Sequence, residues 1–359
     1  MNPSADERHD RQRLIPEWDQ DRIARATAVI AGVGALGNEV AKNLGLLGFG
    51  HLLLCDRDTV ELTNLNRSAL FTDDDVGRPK AEAAAESLRR LAPSTSVTAR
   101  VDELTCGVGL GELADASVVL GCLDSRHARL RLLHRCALVD ARLVDGGTHP
   151  WGGEVRVRVS PDESCYGCSL TAAQRGESDD PLHCGVGAGG PEPASIVSTA
   201  LVASWMTMAA VRLVLGQRLS WRFLELSGAV ASVTQVAVAR VSDCPCHEPV
   251  GIVEPAAVGR GATLAELLAV LPAGAEPLAW APFPIEGTCD HCHRRYDPEY
   301  TAAEVIGCPH CGGRVRLDKT QRLRAAKPDT PLAALGVAAE EIIAVRIPEG
   351  GYRWLRMAA

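Results

Sequence analysis

A glycine-rich turn between an apolar strand and a helix constrains the fold of this chain more than any other feature. The apolar residues 27–31 lead into Gly32, Gly34 and Gly37, which have the spacing G-x-G-x-x-G. Glycines at this spacing permit a tight turn and let phosphate oxygens approach the backbone, while the following helix supplies N–H donors. The pattern predicts a parallel α/β sheet that binds a nucleotide at this turn.

Strands and helices alternate after a helical N-terminal arm over residues 1–27. The predicted strands cover 27–31, 51–55, 117–122 and the residues from 143, and the predicted helices cover 38–47, 79–91 and 128–139. Such alternation is typical of a doubly wound, Rossmann-like sheet. Beyond Trp151, residues 154–159 alternate polar and apolar and residues 229–241 are again strand-like, which predicts an antiparallel extension of the sheet.

Polar residues after the second and third strands distinguish two classes of nucleotide enzyme. Asp56 ends the second strand, where a carboxylate would accept hydrogen bonds from ribose hydroxyls. Together with the glycine turn, this feature alone also fits an NAD-dependent dehydrogenase. Hydride transfer, however, has no need of Arg67 and Lys80 so close to a phosphate loop. Adenylation does, because attack of a carboxylate on the α-phosphate builds negative charge that cations and Mg²⁺ stabilise.

A further carboxylate, Asp124, follows the strand at 117–122. The carboxyl end of such a strand faces the ligand crevice, so Asp124 is predicted to hold Mg²⁺. Taken singly, Arg67 and Lys80 could be residues of solvated loops, and Asp58 could cap a turn. The order and spacing of the whole series favour the nucleotide site.

The same series resembles the E1-like adenylyltransferase superfamily, which includes the activating enzymes of molybdopterin and thiamine synthesis and of ubiquitin. The resemblance extends from Arg8 to Cys246. The matching segments are Arg8 to Gln12, the glycine turn, Asp56 to Asp58, Asn64 to Arg67, Gly77 to Lys80, and Asp124 to Arg129. The chain departs from the family pattern at Ala35, Ser68 and Ser125.

The resemblance implies roles for individual residues. It assigns ATP and Mg²⁺ as cofactors, with Asp56 on the ribose, Arg67 and Lys80 on the triphosphate, and Asp124 on the metal ion. Asp58 and Asn64 are included in the same nucleotide site. Arg11 resembles an arginine that reaches the phosphates of a neighbouring subunit, so a homodimer is expected.

Eight of the 13 cysteines stand in close pairs, which favours metal ions over disulfides. Cys165 and Cys168 form one C-x-x-C pair, and thiolates at this spacing can close a tetrahedral zinc site. The family resemblance implies a second pair as partner, here Cys244 and Cys246. That pair is irregular, being C-x-C by sulfur, or C-x-x-H if His247 is the fourth ligand.

A second cysteine cluster lies near the C-terminus. Cys289 and Cys292 are followed by Cys308 and Cys311, which is the spacing of a zinc ribbon over residues 289–311. The nearby histidines at 291, 293 and 310 are expected to face solvent. Two structural zinc ions per chain are therefore predicted.

Cys184 stands apart from both clusters, between His183 and the glycine-rich residues 185–190. A thiol in such a loop could attack an acyl-adenylate, or form a persulfide-linked intermediate. Its position before a long apolar helix resembles that of the family's catalytic cysteine, although the flanking residues differ. The alternative is an ordinary exposed thiol.

Composition narrows the remaining possibilities. A net charge of −8 without a basic block argues against nonspecific nucleic-acid binding. The apolar stretch at 194–215 approaches the length of a membrane span, but we interpret it as a buried helix. Residues 1–10 contain no apolar segment of a secretory signal, and a cytoplasmic location is expected.

We therefore expect an E1-like domain over residues 1–249 and an accessory domain, containing the zinc ribbon, over residues 250–359. The expected function is adenylation of the C-terminal carboxylate of a ubiquitin-like or sulfur-carrier protein. Adenylation of a ribosomal peptide is the alternative reaction, and a catalytically inactive nucleotide-binding scaffold is the alternative class.

Overall fold

The computed structural model describes residues 7–176, 195–297 and 307–359. They divide into two compact units, the first extending to Leu104 and from Leu113 to Pro249, the second comprising Thr105–Glu112 and the residues from Val250. Hydrogen bonds from backbone amides of the short segment Thr105–Glu112 hold it in the second unit. Its place in the sequence did not indicate these bonds. The amide of Gly111 donates to the carbonyl of Glu340 at 2.9 Å, and Leu110 N donates to Glu341 Oε1 at 3.0 Å.

The first unit is built on an eight-stranded sheet. Its strands are β1 (Thr27–Ala31), β2 (His51–Cys55), β3 (Ser96–Arg100), β4 (Val118–Gly121), β5 (Leu143–His149), β6 (Gly152–Arg158), β7 (Phe223–Ser227) and β8 (Ser232–Gln235). Its helices are α1 (Asp10–Arg13), α2 (Gln20–Ala24), α3 (Ala35–Leu46), α4 (Lys80–Leu91), α5 (Leu104–Gly107), α6 (Leu110–Asp115), α7 (Arg126–Leu138), α8 (Ala172–Gly176) and α9 (Ile196–Val214). Of these helices, α5 after Leu104 and the first half of α6 lie in the segment Thr105–Glu112, which belongs to the second unit.

The strand order is β3-β2-β1-β4-β5-β6-β7-β8. The first five strands pair in parallel, and β6, β7 and β8 continue the sheet by antiparallel pairing. The predicted mostly parallel sheet with an antiparallel extension is confirmed. Chain order reverses between β1 and β4, and ligands of such sheets bind beyond the carboxyl ends of the strands at this reversal.

Two differences from the sequence expectation concern strands. The predicted strand at 229–241 is shorter in the structure, because Ala231, with φ of +50°, belongs to the turn that joins β7 to β8. Strands β3 and β7 were not predicted; β3 is an edge strand without a fully buried residue, so it lacks the apolar run of a central strand.

The long apolar helix α9 is the one described helix whose length and composition would suit a membrane span. In the structure it lies against α3, β5 and β6. Val202, Ala203, Met206 and Ala210 are fully buried in the core of the first unit. Its hydrophobicity is therefore accounted for by packing within this unit.

The second unit contains a six-stranded sheet. Its elements are β9 (Val253–Gly259), α10 (Leu264–Ala269), β10 (Glu276–Cys289), β11 (Arg295–Tyr296), β12 (Val315–Arg322), β13 (Ile342–Arg346) and β14 (Tyr352–Ala358). Leu267, Leu332, Ile343 and Val345 form part of its fully buried core. The unit therefore has a hydrophobic core of its own, and the predicted accessory domain over residues 250–359 stays a prediction.

Three of the cysteines outside both clusters, Cys55, Cys122 and Cys136, are buried, and Cys106 is partly buried. Burial raises the pKa of Cys136 to about 12, so its thiol stays protonated at neutral pH. These thiols pack as small apolar side chains.

Candidate nucleotide site and metal centres

The glycine turn is held tightly between the sheet and α3. Gly32 has φ of +86°, and a Cβ there would lie 2.5 Å from the carbonyl oxygen of Cys122. A Cβ on Gly37 would lie only 1.9 Å from the carbonyl oxygen of Gly32. Both positions therefore require glycine for the fold itself.

Gly34 differs from its two neighbours in the motif. It is the N-cap residue of α3, provides no side-chain cap, and a Cβ built on it meets no atom within 4 Å. The space in front of this helix N-terminus is therefore open. Backbone N–H groups and the positive end of the helix dipole at such a position attract phosphate.

The carboxylate of Asp56 is fixed beside this turn. Strand register aligns Ala31 with both Cys55 and Gly121, so the residues after β1, β2 and β4 meet at one edge of the sheet. Val33 N donates to Asp56 Oδ2 at 2.6 Å, and Asp58 N donates to Oδ1 at 2.8 Å. Burial raises the pKa of Asp56, although these two hydrogen bonds and the charge of Lys80 oppose the shift.

Lys80 begins α4 and is held by Asp58. Its ammonium nitrogen lies 3.1 Å from Asp58 Oδ2, and its amide donates to the Asp58 carbonyl at 2.9 Å. The Lys80 side chain is 13% exposed, whereas that of Asp58 is 57% exposed. Asp58 thus orients the cation that the sequence assigned to the triphosphate.

Arg67 and Asn64 share a 3₁₀ turn, Leu62–Arg67. Arg67 donates to the carbonyl of Thr63 at 2.6 Å, so its guanidinium folds back along the turn. The side-chain oxygen of Asn64 accepts from the amide of Glu61 at 3.0 Å, as part of a capping box. The Asn64 side chain therefore stabilises the turn that carries Arg67. The sequence analysis, which assigned Asn64 to the nucleotide site, did not predict this role.

Asp124 is exposed between β4 and α7, at the edge of the sheet that bears the glycine turn. Ser125 caps α7 by accepting a hydrogen bond from Ala128 N at 3.1 Å. This cap gives the serine that departs from the family pattern a clear local role. Arg11 is exposed on α1; its action in a second subunit remains a prediction. Cys184 lies outside the described residues and also remains a prediction.

A metal-binding group forms from Cys165, Cys168, Cys244 and His247, all of which are buried. We name it the Cys₃His knuckle. Its ligand atoms are separated by 3.8 Å between Cys165 and Cys168, 3.7 Å between Cys165 and Cys244, and 3.1 Å between Cys168 and His247 Nε2. Tetrahedral zinc with Zn–S bonds of about 2.3 Å requires S···S separations of about 3.7 Å, so the donors fit the ion.

His247, and not Cys246, stands in this group of four. Its Nδ1 lies 2.9 Å from the carbonyl oxygen of Pro161, a hydrogen bond that leaves Nε2 free to face the thiols. This geometry favours the C-x-x-H alternative for the segment, and the assignment of Cys246 as a ligand stays a prediction. Cys246 is buried beside the group.

The second group consists of Cys289, Cys292, Cys308 and Cys311, as the ribbon spacing predicts. The Sγ atoms of Cys289 and Cys311 are 3.5 Å apart, and those of Cys292 and Cys308 are 3.6 Å apart. His291, His293 and His310 are exposed and lie outside the group, as expected. Four thiols within such distances are typical of a closed, structural metal centre.

A buried ionic network near the knuckle was not predicted as a site. Arg129 binds Asp145 Oδ2 through Nε at 2.9 Å and Nη2 at 2.6 Å, and Glu154 at 2.7 Å. Burial raises the pKa of Asp145, with the charge of Arg129 opposing the shift. The sequence signal was a charged residue, Asp145, directly after the apolar Leu143 and Val144 in a central strand.

The chain is similar to several known proteins in sequence and in structure. The sequence profile of the ThiF family matches residues 8–246. The Escherichia coli K12 "Sulfur carrier protein ThiS adenylyltransferase" is 33% identical over 172 residues, which are 47% of this chain and 68% of that protein. The molybdopterin-synthase adenylyltransferase of the same organism is 34% identical, covering 45% of this chain and 66% of its own length.

The "SAMP-activating enzyme E1" of Haloferax volcanii is 36% identical over 157 residues, which are 43% of this chain and 57% of that protein. Among solved structures, Escherichia coli MccB has a TM-score of 0.56 at 18% identity, covering 70% of this chain and 75% of MccB. PaaA has a TM-score of 0.53 at 20% identity, covering 67% and 76%. At such identities the structural likeness concerns the fold alone.

Proposed function

Because the chain belongs to the ThiF family of E1-like adenylyltransferases, we propose that it uses Mg-ATP to adenylate the C-terminal carboxylate of a ubiquitin-like or sulfur-carrier protein. The observation that carries the proposal is the grouping of Asp56 and Lys80 with the open helix N-terminus at Gly34. Protein substrates are favoured because the relatives above 30% identity include enzymes named for ThiS and for SAMP.

In the proposed reaction, a carboxylate oxygen of the substrate attacks the α-phosphorus of ATP. The bond from that phosphorus to the bridging oxygen breaks, and pyrophosphate leaves with the bonding electrons. Negative charge grows on the phosphate oxygens during this step. Lys80, Arg67 and an Mg²⁺ ion bound by Asp124 would stabilise it, while Asp56 would hold the ribose.

We also propose roles for Arg11, for Cys184 and for the two metal centres. Arg11 would act on the phosphates of a partner subunit in a homodimer. After adenylation the Cys184 thiolate would attack the acyl carbon of the acyl-adenylate, forming a thioester as the bond to the phosphate oxygen breaks and AMP leaves. The Cys₃His knuckle and the Cys₄ ribbon would each hold a structural Zn²⁺. Two thiol-rich metal centres suit a reducing compartment such as the cytoplasm.

Exchange of labelled pyrophosphate into ATP tests the adenylation step. The assay would present purified ubiquitin-like proteins, sulfur-carrier proteins and short peptides, each with a free and with an amidated C-terminus. We expect exchange only with a free carboxylate of a protein substrate. Asp124→Ala should lower the exchange rate at least about a hundredfold, because the metal ion loses its anchor.

Asp74→Asn is the matched control, since Asp74 is an exposed carboxylate of a surface turn in the same unit. It should exchange like the unmodified chain. Exchange with short peptides alone would favour the ribosomal-peptide alternative. ATP binding without exchange for any carboxylate would favour an inactive scaffold. Wild-type rates for Asp124→Ala would remove Asp124 from the metal site.

A further inference from the structure

The aromatic ring of Tyr166 connects the Cys₃His knuckle to helix α7. Tyr166 lies in the 3₁₀ turn Tyr166–Ser169, directly after Cys165 and two residues before Cys168. Tyr166 is 9% exposed. The guanidinium carbon of Arg129, on α7, lies 4.5 Å from its centroid, a cation–π contact. A residue between two of the metal ligands, Tyr166, therefore contacts Arg129 directly through its side chain.

Arg129 is also fixed from the opposite side by β5 and β6. Its bonds to Asp145 and Glu154 leave its side chain 11% exposed and that of Asp145 3% exposed. Arg156 completes the network by binding Glu154 at 2.8 Å, so two cations balance two anions. A balanced buried network tolerates little displacement, because an unpaired buried charge is costly.

The position of Arg129 within α7 connects this network to the candidate Mg²⁺ ligand. Arg129 N donates to Ser125 O at 3.0 Å, which closes the first turn of the helix. Asp124 immediately precedes the cap residue Ser125. One helical turn is a short and stiff connection, so a displacement of Arg129 also displaces the backbone at Asp124.

We propose that Tyr166 and Arg129 are positioning residues through which the Cys₃His knuckle determines the place of Asp124. The knuckle would then support Mg²⁺-dependent nucleotide binding in addition to stabilising the fold. This inference rests on the proposed function, because Asp124 is taken as the Mg²⁺ ligand. It concerns the metal ion specifically and leaves the ribose contact at Asp56 unaffected.

Isothermal titration with a non-hydrolysable ATP analogue, with saturating Mg²⁺ and without added Mg²⁺, tests this coupling. The ratio of the two affinities measures the contribution of the metal ion. Tyr166→Leu should reduce that ratio roughly two- to thirtyfold, the range that corresponds to one cation–π contact. Its affinity without Mg²⁺ and its zinc content by elemental analysis should remain those of the wild type.

Two control variants separate positioning from general damage. Tyr166→Phe keeps the ring and should keep the wild-type ratio. Phe223→Leu removes a ring that lies 3.8 Å from the guanidinium carbon of Arg156, which belongs to β6 and not to α7. It should likewise keep the ratio. His247→Ala, which removes a knuckle ligand, should lose one zinc ion and show the reduced ratio.

A wild-type ratio in Tyr166→Leu would overturn the inference, as would an equal loss of affinity with and without Mg²⁺. If Tyr166→Leu does not fold, Arg129→Lys provides the same test, because lysine keeps the charge but loses the planar face and the paired bonds to Asp145. A reduced ratio supports the inference and an unchanged one overturns it. Wild-type protein that binds the analogue without any Mg²⁺ dependence would contradict the proposed function itself.

Discussion

Adding one methyl group to the glycine turn should have different consequences at Gly37 and at Gly34. At Gly37 the new Cβ would begin 1.9 Å from the carbonyl oxygen of Gly32, whereas real Cβ atoms keep at least 3.0 Å. Backbone must therefore move between the turn and α3. We expect Gly37→Ala to cost about 3 kcal/mol, the upper part of the range for overpacking.

At Gly34 the same methyl group meets no atom within 4 Å, and φ of −68° suits any residue. The free energy of unfolding should change by less than about 0.5 kcal/mol. The methyl group does, however, occupy the space through which phosphate would approach the helix N-terminus. We expect ATP affinity to fall at least about tenfold, which corresponds to about 1.4 kcal/mol.

Thermal unfolding followed by circular dichroism, together with titration calorimetry of Mg-ATP, distinguishes the two effects. Gly37→Ala should lower the Tm of the ATP-responsive transition by roughly 6–12 °C, taking 2–4 °C per kcal/mol for a unit of this size. Gly34→Ala should leave that Tm within about 2 °C. Unchanged ATP affinity in Gly34→Ala would refute the placement of the phosphates at this turn.

Three further predictions concern the metals, the assembly and the thiol. Elemental analysis should find two zinc ions per chain. His247→Ala should lose one of them, and Cys246→Ser should keep both. Loss of one ion in Cys246→Ser but not in His247→Ala would make Cys246 the ligand. Mixing Arg11→Ala with Asp124→Ala chains should restore part of the exchange activity, because each mixed dimer has one complete site; no gain despite proven subunit exchange would mean that Arg11 does not act in trans. Cys184→Ala should keep pyrophosphate exchange but form no thiol-sensitive adduct with the protein substrate, which mass spectrometry would detect. A mutant that completes transfer at the wild-type rate would show that Cys184 is an ordinary thiol.

The sequence determined four of the five parallel strands, β1, β2, β4 and β5, because local patterns encode them. The strand at 27–31, the glycines after it and the carboxylate at Asp56 are close together along the chain or at a fixed spacing. Chemistry that depends on one strand–turn–helix unit can be read from such spacing. The same reasoning identified the Cys₄ ribbon, whose ligands lie within 23 residues of sequence, from 289 to 311.

Only the tertiary structure decided features that join distant segments. The orientation of the His247 ring toward the thiols depends on Pro161, which lies 86 residues earlier and binds the second ring nitrogen. The place of residues 105–112 in the second unit depends on hydrogen bonds to residues near 340. The contact between Tyr166 and Arg129 likewise joins a loop to a helix 37 positions away. Spacing along a chain does not specify such pairings, because they arise when packing brings separate elements together.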